Sequence, residues 1–167
     1  MSDEFWNFSL AVYQQPGVSQ ECIVLQDRFG LDVNLLLLSA YLGASRKVAL
    51  TADDIQSVIA ASNDWHVEVV RNLRAARRAL KAWEEGRDAN VQEPARALRS
   101  VVKKAELESE HIEHSLLAGW ADSRKLTPAD PEIAVPQNMR TVLAHYHPDF
   151  QDADLPHHLI AAALSLR

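Results

Sequence analysis

The stretch CIVLQDRFGLDVNLLLLSAYLGA, residues 22–44, decides the fold. Its first half sets Cys22, Ile23, Leu25 and Gln26 on adjoining turns of an amphipathic helix, which Gly30 can end in a left-handed conformation. Asp32 then caps another helix at once, and the run from Val33 to Leu42 is the most apolar of the chain. Interrupted only by Asn34 and Ser39, that run of about ten residues is half of what a membrane span needs. It reads as a buried core helix.

Upstream, Ser2, Asp3 and Glu4 can cap a first helix. Phe5, Trp6, Phe8, Leu10, Val12 and Tyr13 recur there at helical spacing, and Pro16-Gly17 stops the helix near Gln15. Ser19 is the expected cap of the second helix, which runs to about Phe29. Connections this short fold residues 5–44 into one three-helix unit, with Gly43 at its end.

Downstream, Thr51 and Asp54 have the spacing of a capping box. Ile55, Val58, Ser62, Trp65, Val69, Leu73, Ala76, Leu80 and Trp83 then alternate three- and four-residue steps, the stripe of one helix roughly thirty residues long. A loop at 86–90 follows, Pro94 fits a first helical turn, and another helix runs to about Trp120 with Leu98, Val102, Ala105, Ile112, Leu116 and Trp120 inside. Residues 52–120 thus form an antiparallel hairpin with its tip near residue 88. Five of the seven prolines fall between Pro128 and Pro156, so 121–154 reads as a lid or wrapping segment in which only 139–146 is helical. A short apolar helix, 155–166, closes the chain. The expectation is an all-α single domain.

Composition bounds the function. With 47% hydrophobic and 24% charged residues the 167-residue chain is globular rather than disordered. The net charge of −6 argues against a protein that coats nucleic acid over its whole surface. One cysteine, Cys22, excludes an intramolecular disulfide and a cysteine-based zinc site, and the acidic start is unlike a secretory signal. A cytoplasmic protein is expected. No nucleophile elbow, phosphate-binding glycine loop or dinucleotide fingerprint is present. No cofactor is expected.

Three constellations could carry chemistry. The first is Glu106, Glu108, Glu110, His111, Glu113 and His114, in which Glu108 precedes His111, and His111 precedes His114, by three residues. With His66 brought level across the hairpin, His66, Glu108, His111 and His114 could hold a divalent metal, although a four-helix carboxylate site needs a second Glu-x-x-His that this chain lacks. A solvated acidic face is the plainer reading. The second is basic: Arg71, Arg74, Arg78 and Lys81 on one arm, Arg99 and Lys103 on the other. Ten of the 17 Lys and Arg, Arg87 included, gather near the hairpin tip. Like charge facing like charge across a hairpin would invite an acidic protein surface or nucleic-acid phosphates, while long arginine stems covering the apolar flank explain the same residues without a partner. The third is a polar corner, Gln26, Asp27, Asp32 and Asn34. Capping accounts for Asp32 but not for Asn34, in the first turn of an apolar helix. An internal hydrogen-bond network is favoured over a ligand pocket. Four histidines at 145, 147, 157 and 158 make the C-terminal region a candidate for sensitivity to pH near neutrality.

The N-terminal residues Phe8-Ser9-Leu10-Ala11, Tyr13, Pro16-Gly17-Val18, Cys22, Leu25-Gln26-Asp27, Gly30 and 32–37 resemble the signature of an uncharacterised family of small proteobacterial proteins, a domain of unknown function. The resemblance covers residues 5–45. It implies a bacterial cytoplasmic protein and no known activity.

The expected role is a non-enzymatic helical adaptor or regulator, binding a protein or, at the basic end, nucleic acid, through a charge-segregated hairpin. Homo-oligomerisation is open, and a small-molecule enzyme using the polar corner is the other alternative.

Overall fold

Every residue from Asn34 to Ala44 is buried, so α3 (Val33–Ala44) is covered on all sides. Around it pack α1 (Ser2–Tyr13), α2 (Val18–Phe29), α7 (Pro131–Tyr146) and α8 (His157–Ser165). The computed structural model describes residues 2–86 and 88–166, and the side chains of all of these but Ser2. The capping expected of Ser2 falls on a side chain that is not described, and Arg87 lies outside the described residues. The all-α class holds, with one two-residue antiparallel ladder, Val48–Ala49 on Thr127–Pro128. No described helix is long and apolar enough to cross a membrane.

The chain divides into two compact units. One comprises residues up to Ala61 together with those from His114 onward; the other is Ser62–Glu113.

In the first unit the corner at residues 29–34 forms as its residues require. Gly30 is left-handed at φ 67°, its N–H donating to the Gln26 carbonyl, and the Asp32 side chain accepts from the Asn34 N–H at 2.8 Å. Ser19 does not cap α2: the helix begins at Val18, and Gly17 at φ 84° makes the turn. Gly43 does not end α3 either. A Cβ there would lie 3.0 Å from the Val135 backbone, so this glycine lets α3 and α7 approach closely.

The proline-rich segment differs most from expectation. Pro131 is accepted at a helix start, where its missing N–H costs nothing, and the Asp130 side chain caps the Glu132 N–H at 2.9 Å. The resulting α7 is 16 residues long and is no lid: Ala134, Val135, Met139, Val142 and Leu143 are all buried. Among them sits Asn138, fully buried. Its Oδ1 accepts from the Leu50 N–H at 2.7 Å, and its Nδ2 donates to the Ser39 and Val48 carbonyls at 3.0 and 3.1 Å.

Cys22 is buried, and burial, with a smaller contribution from the charge of Glu21, pushes its thiol up to about 12. The thiol is therefore protonated at neutral pH. An aromatic disulfide reagent is expected to leave it unmodified in the native protein and to titrate one thiol after denaturation.

Candidate functional site

The second unit is a pair of antiparallel helical arms. The first arm is the end of α4 (Ala52–Trp65), a π turn at His66–Val70 and α5 (Arg71–Glu84); the second is α6 (Ala89–Asp122) as far as Glu113. The reciprocal Thr51–Asp54 capping box starts α4, but the π turn interrupts the single helix expected from the three-four stepping. Its wider turn moves the buried register on by one residue, so Val70 is buried where Val69 was expected. Pro94 also sits deeper than expected, inside α6 rather than in its first turn.

Polar groups hold the arms together. The Trp65 indole donates to the Ser109 carbonyl at 2.9 Å, and His66 Nδ1–H donates to Glu113 Oε1 at 2.8 Å. Further along, Arg74 reaches Glu110 at 2.9 Å and Glu106 at 3.3 Å, Arg77 also pairs with Glu106, and Arg99 reaches Glu84 at 3.1 Å. This corrects the expectation that like charges face each other across the hairpin. Arg74 and Arg99 face glutamates, and Lys81 stands 3.5 Å from Glu85, just past the end of its own helix. Arg71, Arg78 and Lys103 are exposed.

The seam sets two neighbouring carboxyls apart. Burial works against ionised Glu106, but the Arg77 and Arg74 guanidiniums outweigh it and hold its carboxyl below the usual range. At Glu110 burial wins, and the carboxyl is raised. Glu106 therefore adds stability that is present above the ordinary glutamate range and is lost as pH falls through its depressed value. Glu110 has the opposite sign: its contribution is present at low pH and is lost as pH rises through its raised value. Glu106→Gln is expected to cost about 2 kcal/mol at neutral pH and Glu110→Gln much less, as read by urea melts across the acidic range.

With polar side chains filling the seam, the apolar ones are left outside. Glu106, Ser109 and Glu113 are buried, whereas Leu98, Val101 and Ile112 are 52%, 63% and 48% exposed and Ala105 is exposed too. Leu98, Ala105, Ile112 and Leu116 were expected inside; all are exposed, and Val102 and Trp120 alone of that set are half-buried and buried. On α5, Leu73 and Leu80 are only half-buried, Ala76 is exposed, and Trp83 is 48% exposed. At 100° per residue each apolar set spans an arc of roughly 60–80°, about a quarter-turn from the seam and in the same rotational sense along each chain. Because the arms are antiparallel, both arcs open on one face.

The other expected sites are formed by different residues. His66 meets Glu113, a residue not expected as its partner, while Glu108 faces solvent and His111 is half-buried. His114 belongs to the first unit, where its Nε2–H donates to Asn34 Oδ1 at 3.2 Å and its ring stacks on Phe5 at 4.2 Å. That contact accounts for Asn34, which capping did not. At the corner Asp32 caps, Gln26 is half-buried and Asp27 is exposed. Two shallow clefts of about 350 and 520 Å³ in the first unit are lined elsewhere, the one by Glu4, Tyr41 and Arg46, the other by Lys47 and Asp130 among others. In the C-terminal region His147 stacks on Phe29 and His158 Nδ1 pairs with Glu21 at 3.2 Å.

Residues 4–117, the greater part of the chain, match the family described as protein of unknown function (DUF2390), and the chain belongs to that family. The match takes in α1 to α5 and most of α6, hence the whole second unit, and leaves out α7 and α8. No curated protein and no solved structure matches the chain.

Proposed function

We propose that this protein is a non-catalytic helical interaction module that docks a protein partner through the apolar face of the hairpin, working as an adaptor or regulator in a bacterial cytoplasm. The inverted polarity of the hairpin carries this reading. Buried glutamates and exposed leucine, valine and isoleucine on one helix are costly for a face that stays in water and sensible for one that is covered. The charges lend less support to a nucleic-acid partner, since Arg74, Arg77 and Arg99 are already met by Glu84, Glu106 and Glu110. Reversing Arg74 would test the seam rather than a contact. The exposed face supplies the better probe: a tagged full-length chain is expected to retain specific partners from extract of its native cell, and Val101→Asp to lose them. Equal retention by the two rejects the reading.

A second reading has one observation behind it. His66 and Glu113 bring an imidazole nitrogen and a carboxylate oxygen to 2.8 Å beside a π turn, a kind of turn common at functional sites. They supply two of the ligands that a divalent metal needs. Elemental analysis of untagged protein is expected, on this reading, to find metal that His66→Ala removes; metal-free wild type rejects it.

A further inference from the structure

Resting on the docking role of the apolar face, we infer that its occupant is a second copy of this chain, docked face to face about a twofold axis that crosses both arms at the level of Ala76 and Ala105. The pairs Arg74–Glu106 and Arg77–Glu106 bracket that level and set the two alanines side by side across the hairpin.

An isologous interface must be self-complementary, because a residue before the axis meets one equally far beyond it. The apolar face has that pattern. On α6, Leu98 and Ile112 stand seven residues to either side of Ala105; on α5, Leu73 and Leu80 stand three before and four after Ala76. Twofold docking therefore sets Leu98 against Ile112 of the second copy and Leu73 against its Leu80. Alanine meets alanine on the axis, where helices must come closest.

The charges agree. Lys104 and Glu108 lie on the outer flank of the α6 stripe, both are exposed, and neither enters the seam pairs. Antiparallel twofold packing sets this flank against itself with its direction reversed, so Lys104 of each copy meets Glu108 of the other. The contact is made twice. A parallel arrangement would set lysine on lysine and glutamate on glutamate. The outer flank of α5 is Ala75, Ala79 and Ala82, all exposed, which adds no repulsion between copies and offers no cation to an anionic surface.

The test needs only the purified full chain, taken from the low micromolar range upward by light scattering and equilibrium sedimentation. A dimer is expected for wild type and a monomer for Val101→Asp, with unchanged helical content by circular dichroism, since Val101 is 63% exposed and lies outside the seam. Lys104→Glu and Glu108→Lys are each expected to weaken the dimer about tenfold, which corresponds to about 1.4 kcal/mol over two contacts, and the double variant to restore it. A wild type that stays monomeric overturns the inference, and so does a dimer indifferent to these substitutions. A monomer that nonetheless captures a different protein through Val101 also overturns it, while leaving the docking role standing. Indifference of both self-association and capture to Val101→Asp rejects the two together.

Discussion

Replacing Asn138 with alanine is expected to lower stability by about 3 kcal/mol and the melting temperature by roughly 6–12 °C. The side chain is fully buried and makes three hydrogen bonds to backbone: it accepts from Leu50 N–H and donates to the carbonyls of Ser39 and Val48. Alanine would leave the Leu50 N–H in the core without its acceptor, and an orphaned buried donor loses its solvation without replacement. The two carbonyls would each lose a donor as well. Asn138→Asp tests the directions, because a carboxylate can still accept from Leu50 but has nothing to donate to the carbonyls, and it would bury a charge. It is expected to be worse than alanine. A urea melt showing the aspartate variant as stable as wild type would rule out this bonding pattern.

Nothing in the local sequence marked Asn138, and the reason is physical. Its partners lie at residues 39, 48 and 50, so its importance arises from tertiary approach, whereas periodicity and capping report only on neighbours along the chain. The same limit hid α7. Prolines at 131 and 136 suggested a broken segment, yet Pro131 occupies the one helical position that tolerates it and Asp130 caps the turn. What did read correctly was local: the Gly30 stop, the Asp32 cap, the Thr51–Asp54 box and the apolar run of α3.

The hairpin was legible in its level and not in its orientation. Folding near residue 88 brought His66 opposite the acidic cluster, as observed, but spacing alone could not choose between Glu108, Glu110 and Glu113, which differ by less than two turns. Nor could it say which face turned inward. The usual rule buries the apolar stripe of α6, and the structure buries Glu106, Ser109 and Glu113 in its place. The signal that could have pointed there is Arg74 and Arg77 on one arm with Glu106 and Glu110 at their level on the other. That pairing competes with the apolar stripe for the seam, and the stripe remains available to a partner.

Phe5→Ala is expected to cost about 3–5 kcal/mol, the largest single effect among these substitutions. Phe5 is fully buried, its ring 4.2 Å from that of His114 and 5.5 Å from that of Tyr41. The loss has two parts, the apolar area with the cavity left behind, and the ring contact that holds His114 where its Nε2–H reaches Asn34. Phe5→Leu separates them. Leucine keeps most of the volume and gives up the stacking, so it is expected to cost about 1–2 kcal/mol. Trp6 also meets the His114 ring, edge-on at 4.9 Å, and continues to restrain it in either variant. If leucine proves as damaging as alanine, the ring contact dominates, and the Asn34–His114 pair depends on aromatic packing more than on filled volume. If both variants stay within 1 kcal/mol of wild type by urea denaturation, a magnitude typical of surface positions, Phe5 is not the buried anchor of α1 and does not hold His114 on Asn34.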